Sequence, residues 1–202
     1  MEELLQIPNC FNPLKPNETF EPIAQKLMKD YCIKCGGKFF FFAEIEFYYY
    51  RASDKEALEK AGMNWEGVTY TRNTNAGDLF YHLSGCDICF KSVENECGGI
   101  LIRSLIDESE EIVAGPMNCV NAMLNACGKN NNVPSLFKKA NPRNVDARST
   151  YRFLGDNDFK KIHNGNKDGE LKLAYYDFSI SQNVWNKARP SYYSTRFKYD
   201  NN

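Results

Sequence analysis

The sequence predicts an α+β fold in a single domain, an antiparallel sheet flanked by helices, and three observations carry that prediction. Residues Phe39 to Tyr50 form an apolar and aromatic run interrupted only by Glu44 and Glu46, two residues apart as on one face of a strand. Three further strand-like runs, Leu79 to Leu83, Cys86 to Ser92 and Gly99 to Ile106, follow at short intervals set off by Gly and Ser. Neither a repeat nor a linker interrupts the 202 residues, a length that suits one core.

Taken in order, residues 1–18 are rich in Pro and Asn and read as an irregular N-terminal arm; 19–202 form the domain. Thr19 is placed to cap a helix whose apolar face is Ile23, Ala24, Leu27 and Met28. A strand then runs to about Lys34, and Gly36-Gly37 turns it into the strand Lys38 to Tyr50. Ser53-Asp54-Lys55-Glu56 has the form of a capping box opening a short helix that stops at Gly62. Residues 64–77 are a loop. Pro116 suits the first turn of a helix running through Val120, Met123 and Leu124 to Gly128. Residues 129–148 read as a loop with one helical turn near Leu136-Phe137, followed by late strands at Tyr151 to Leu154 and Leu171 to Ser181.

Composition narrows the function classes. The net charge of −1 and the pI near 6.2 are those of no strongly basic nucleic-acid binder. Local charge differs: Tyr192, Tyr193 and Phe197 lie among Lys187, Arg189, Arg196 and Lys198, whereas Asp107 to Glu111 is an acidic run. The absence of a long apolar segment or a leader-like N-terminus predicts a soluble cytoplasmic protein, with no membrane association. Two C-x-x-C pairs, Cys32/Cys35 and Cys86/Cys89, have the form of half zinc sites. Their separation exceeds the ~15–20 residues of a compact site, and on strands residues i and i+3 face opposite ways. Reduced buried thiols are therefore expected, with no metal and no cofactor.

The chemistry concentrates on Glu44 and Glu46. On a strand they share a face with Tyr48. Burying carboxylates among aromatics is costly unless a cation pairs with them or their proton equilibrium is put to use.

In chain order, Glu44-Ile45-Glu46-Phe47-Tyr48, Thr71-Arg72-Asn73, Ala76-Gly77-Asp78-Leu79-Phe80-Tyr81, Gly98 to Leu105 and Gly115 to Leu124 resemble the motifs of the alkyladenine (3-methyladenine) DNA glycosylase family. The likeness covers about Phe20 to Leu124, and Trp185 to Pro190 is similar to a late basic segment of that family. It implies a curved sheet related to the formyltransferase C-terminal fold, and a monomer acting on DNA that contains damaged purines. By resemblance Glu46 is the catalytic carboxylate and Arg103 holds it together with a substrate phosphate. Tyr48 would stack on the flipped base, and Asp87 stands where the family has a base-contacting asparagine. Arg72 and Asn73 would line the substrate site. Tyr81, then Phe80, would be the wedge left on a shortened hairpin. No lysine falls in the motifs, so the implied reaction is hydrolysis without strand cleavage.

Two alternatives stand beside it: a protein of the same fold that binds nucleic acid or a nucleobase without catalysis, and a zinc-stabilised interaction module built on the C-x-x-C pairs. For Arg103 the competing role is a structural ion pair with Glu44.

Overall fold

The computed structural model describes residues 3–60, 72–128, 132–143, 147–152 and 189–194. The expected strand at Leu171 to Ser181 and the helix stop at Gly62 lie outside them. The described elements are α1 (Asn17–Asp30), β1 (Tyr31–Cys35), β2 (Lys38–Arg51), α2 (Lys55–Lys60), β3 (Leu79–His82), β4 (Gly85–Cys89), β5 (Glu96–Ile106), β6 (Ile112–Ala114), α3 (Pro116–Cys127), β7 (Ser135–Lys138), β8 (Ala147–Arg152) and β9 (Arg189–Ser194). The fold is α+β: the described strands make one curved, half-barrel sheet, antiparallel throughout. Its main path runs β3-β4-β5-β2-β1-β7, with β6 beside β5 and the β8-β9 pair joined to β2.

The N-terminal arm is tied down rather than loose. Leu5 and Phe11 are buried in the core, and the Arg51 guanidinium donates to the carbonyls of Asn9 and Phe11. Helix α1 begins at Asn17, inside the segment expected to be irregular, and Thr19 is not its cap. Pro16 already has helical dihedrals, φ −61° and ψ −27°, and its carbonyl accepts from the Thr19 and Phe20 amides. Proline suits a helix start because it has no N–H of its own to leave without an acceptor. Phe20, Ile23, Ala24, Leu27 and Met28 then face the core. Asp54, expected in a capping box, is instead held by Arg51 at 2.8 Å, within a 3-10 turn (Ala52–Asp54) ahead of α2.

One stretch differs from the sequence expectation. Leu136-Phe137 belongs to β7, an edge strand on β1, not to a helical turn: only Leu136 is buried, so the pairing with Cys32 and Ile33 decides the conformation. The acidic run Asp107 to Glu111 forms the turn between β5 and the short β6.

Helices α1 and α3 pack on one face of the sheet, where Phe20, Phe47, Phe90, Ile100 and Met123 join a continuous apolar core. The opposite face, called the second face below, carries the chemistry. Cys32 and Cys35 lie on different faces, as do Cys86 and Cys89. Cys35 and Cys86 enter the core, whereas the Cys32 thiol donates to the Phe137 carbonyl and Cys89 lies near Thr74 and Arg72. All eight cysteines are free, and burial pushes Cys32 up to about 11, Cys35 to about 12 and Cys119 to about 12. No helix among the described residues is long and apolar enough to cross a membrane.

Candidate functional site

An irregularity in the β2/β5 ladder builds the site. Phe42 pairs with Leu105, Glu44 with Ser104 and Ile45 with Ile102, so Ala43 on β2 and Arg103 on β5 are each one residue extra. Bulges of this kind re-aim side chains. Here Phe40 and Phe42 face the core before the bulge, and Ile45 and Phe47 after it. Glu44, Glu46 and Tyr48 are thereby delivered to the second face, and Arg103 arrives there from the bulge of the neighbouring strand. The carbonyl of the bulged Arg103 accepts from the Gly115 amide at 2.9 Å.

The first cluster on this face is an ion triad. Arg103 Nη1 donates to Glu46 Oε2 at 3.1 Å, and its Nε lies 3.3 Å from Glu44 Oε1. One guanidinium therefore contacts both glutamates, so the ion pair with Glu44 and the contact with Glu46 are present together. Glu46 is 1% exposed.

The second cluster adjoins it, one strand step of ~6–7 Å along β2. The Tyr48 hydroxyl donates to Asp87 Oδ2, and Arg72 donates to the same oxygen at 3.2 Å, to the Tyr48 hydroxyl oxygen at 3.0 Å and to the Gly98 carbonyl at 3.0 Å. His82 Nε2 lies 3.1 Å from Asp87 Oδ1, while its Nδ1 accepts from the Ser84 amide. The approach of Nε2 to Asp87 is close in distance without the alignment of a hydrogen bond. The Arg72 guanidinium lies 4.5 Å over the Phe80 ring, a cation–π contact. Burial, then the Asp87 carboxylate, pushes the Tyr48 phenol well up, so it stays a neutral donor. Gly99 makes this crowding possible: a Cβ there would stand 2.5 Å from Arg72 Nη2 and 2.9 Å from the Tyr48 hydroxyl.

Of the residues expected from sequence, Glu46, Arg103, Tyr48, Asp87 and Arg72 come together on this face. Asn73 does not; it is exposed beside Arg72. Tyr81 is turned away, paired with Cys86 in the β3/β4 register with its phenol near that thiol on the core side, because strand alternation puts Phe80 rather than Tyr81 on the face of Asp87. The hairpin tip is the tight turn at Leu83-Ser84, which ends β3 at His82; Leu83 is 96% exposed. Tyr48 is also more constrained than a free stacking platform, since its hydroxyl is bound and Arg72 stands 5.7 Å from its ring centroid. His82 was missed: only the β3/β4 register, pairing Phe80 with Asp87, brings it to the site. The Gly98-Gly99 pair was the one available signal for the close approach on β5.

Comparison with protein-family models, with curated proteins and with solved structures finds no match.

Proposed function

We propose that the protein is a monofunctional DNA glycosylase that hydrolyses the N-glycosidic bond of alkylated or deaminated purines, on a fold of the formyltransferase C-terminal type. The observation that carries the proposal is the Glu46 carboxylate held at 3.1 Å by Arg103, on the face shared with Tyr48, Asp87 and Arg72. Glycosidic hydrolysis needs a carboxylate that takes a proton from water and balances the positive charge growing on the sugar. In the proposed step the water oxygen bonds to C1′, the C1′–N bond breaks with its electron pair going to the base, and Glu46 takes the proton. A purine alkylated on a ring nitrogen already carries positive charge and departs neutral, without a separate acid; a deaminated purine departs as the anion and takes its proton from water. Arg103 is the positioning residue for Glu46, and the Tyr48–Asp87–Arg72 group would face the flipped base.

A second reading, binding of a nucleobase or nucleic acid without turnover, is favoured by the near-complete burial of Glu46 against Arg103. An assay of base release from oligonucleotides carrying N3- and N7-alkylated or deaminated purines separates the two. Release by the wild type, lost in Glu46→Gln, supports hydrolysis; lesion binding with no release moves the assignment to the second reading.

A further inference from the structure

We propose that Lys139 and Arg143, set over the Phe41 ring on the second face, form a binding site for a phosphate ester group. The site goes beyond the hydrolytic centre and does not depend on it. Phe41 lies on β2 before the Ala43 bulge, so it shares the face of Glu44, Glu46 and Tyr48. The Arg143 guanidinium lies 4.4 Å from the Phe41 centroid and the Lys139 ammonium 5.4 Å from it, which sets two cations against one ring.

Backbone bonds hold the pair in place. The Lys139 amide donates to the Asp30 carbonyl and the Arg143 amide to the Lys29 carbonyl, each at 2.8 Å, strapping the segment across the end of α1. The Lys139 ammonium reaches the Met28 carbonyl at 3.4 Å, a favourable place for a cation at a helix C-terminus. That contact accounts for Lys139 alone. Arg143 has a side chain only 10% exposed, and its Nη1 is buried with no hydrogen-bond partner among the described residues. Its one described carboxylate contact is Glu110 on the acidic β5/β6 turn, a side chain 64% exposed. Burial, together with the nearby Arg143 charge and against the Cys32 and Asp30 contributions, brings Lys139 down to about 8.

A buried guanidinium with an empty donor, a second cation beside it and one solvent-exposed carboxylate on loan from a turn make an anion site whose occupant can be exchanged. Phosphate suits it better than carboxylate, since its tetrahedral array of non-bridging oxygens, two in a diester and three in a monoester, can serve the guanidinium and the ammonium from different directions. Beyond it on the same face the Phe39 and Phe137 rings lie 5.7 Å apart, with the Lys34 ammonium 5.1 Å over Phe137, and Phe137 is exposed. An aromatic wall about one nucleotide away from a phosphate contact is the arrangement on which an unstacked base rests. The ligand is therefore a phosphate carrying a base, in a single strand or as a free nucleotide.

The test is equilibrium binding of three probes, a fluorescent octathymidylate, AMP and inorganic phosphate, to the full chain. The expected result is saturable binding that falls about tenfold or more in Arg143→Gln and in Lys139→Gln, with a salt slope smaller by about one. Glu110→Gln, at an exposed position, should strengthen binding several-fold because the resident carboxylate is gone, and this variant tests the site without touching its cations. Tight binding of the octathymidylate alone assigns the site to a nucleic-acid strand; comparable binding of AMP assigns it to free nucleotides. If no probe binds, or if affinity is the same in wild type, Arg143→Gln and Glu110→Gln, the proposal is overturned. The test reads binding and not base release, so failure of the hydrolytic assignment would leave its outcome unchanged.

Discussion

Arg103 and Glu46 face each other across the β2/β5 ladder at 3.1 Å, and the same guanidinium lies 3.3 Å from Glu44, so two carboxyl groups share one cation. Removing one partner of a buried ion group leaves the others uncompensated, at a cost of about 3–5 kcal/mol. Arg103→Met should therefore lower the free energy of unfolding by that order. Adding Glu44→Gln and Glu46→Gln to the same chain should recover most of the loss. Urea unfolding of the single and triple variants checks this; a triple variant no more stable than the single would mean that the triad is not the cause.

The two glutamates should part company in turnover. If Glu46 activates water, Glu46→Gln keeps the shape of the site and lowers base release by about 10²–10⁴ while lesion binding persists. Glu44→Gln should be far milder, since Glu44 shares Arg103 without the catalytic role. Single-turnover kinetics on both variants decides, and the reverse ranking would move the catalytic role to Glu44.

Adjacent glycines on β5 should fail in different ways. A Cβ on Gly98 would stand 2.6 Å from the Tyr48 carbonyl oxygen and 2.9 Å from Tyr49 Cα, backbone atoms that cannot swing aside. On Gly99 it would meet the ends of Arg72 and Tyr48 instead. Gly98→Ala should cost about 3 kcal/mol or more in thermal unfolding. Gly99→Ala should cost about 1–2 kcal/mol, but displace Arg72 and abolish lesion binding. Equal losses in both assays would contradict the difference drawn between them.

Alkaline pH should unfold the protein through its thiols. In the unfolded chain they ionise near the ordinary value of 9.0, whereas burial holds Cys32 to about 11 and both Cys35 and Cys119 to about 12. Between pH 9 and 12 the unfolded state binds fewer protons than the folded one, so stability falls as pH rises. Lys139, brought down to about 8 from 10.5, acts in the opposite sense between those values and offsets part of the decline. Denaturant unfolding from pH 8 to 11 should show a shallower fall in Cys119→Ala and a steeper one in Lys139→Met.

How far these features could be read in advance depended on whether they were local. The shared face of Glu44, Glu46 and Tyr48 follows from spacing by two, and α3 from Pro116 and the apolar spacing of Val120 and Met123; both are properties of consecutive residues. The bulge at Ala43 was hidden because Phe39 to Phe42 are all phenylalanine, so no alternation marks which parity is inside. β7 was missed because one buried side chain in four gives no period. The His82–Asp87 contact depends on the register of β3 against β4, which no spacing within either strand reveals.

The paired irregularity at Ala43 and Arg103 behaves like two compensating frameshifts. Before it the β2/β5 partners are Phe42 and Leu105, after it Ile45 and Ile102, and the register is the same on both sides. Excising both residues would leave an unbroken ladder with every other side chain on its present face. Excising either one alone would slip the strands past each other and turn half of one strand inside out. The sheet could thus close without Arg103. The fold tolerates an interruption that it does not require, and the interruption is where the Arg103 guanidinium enters between Glu44 and Glu46.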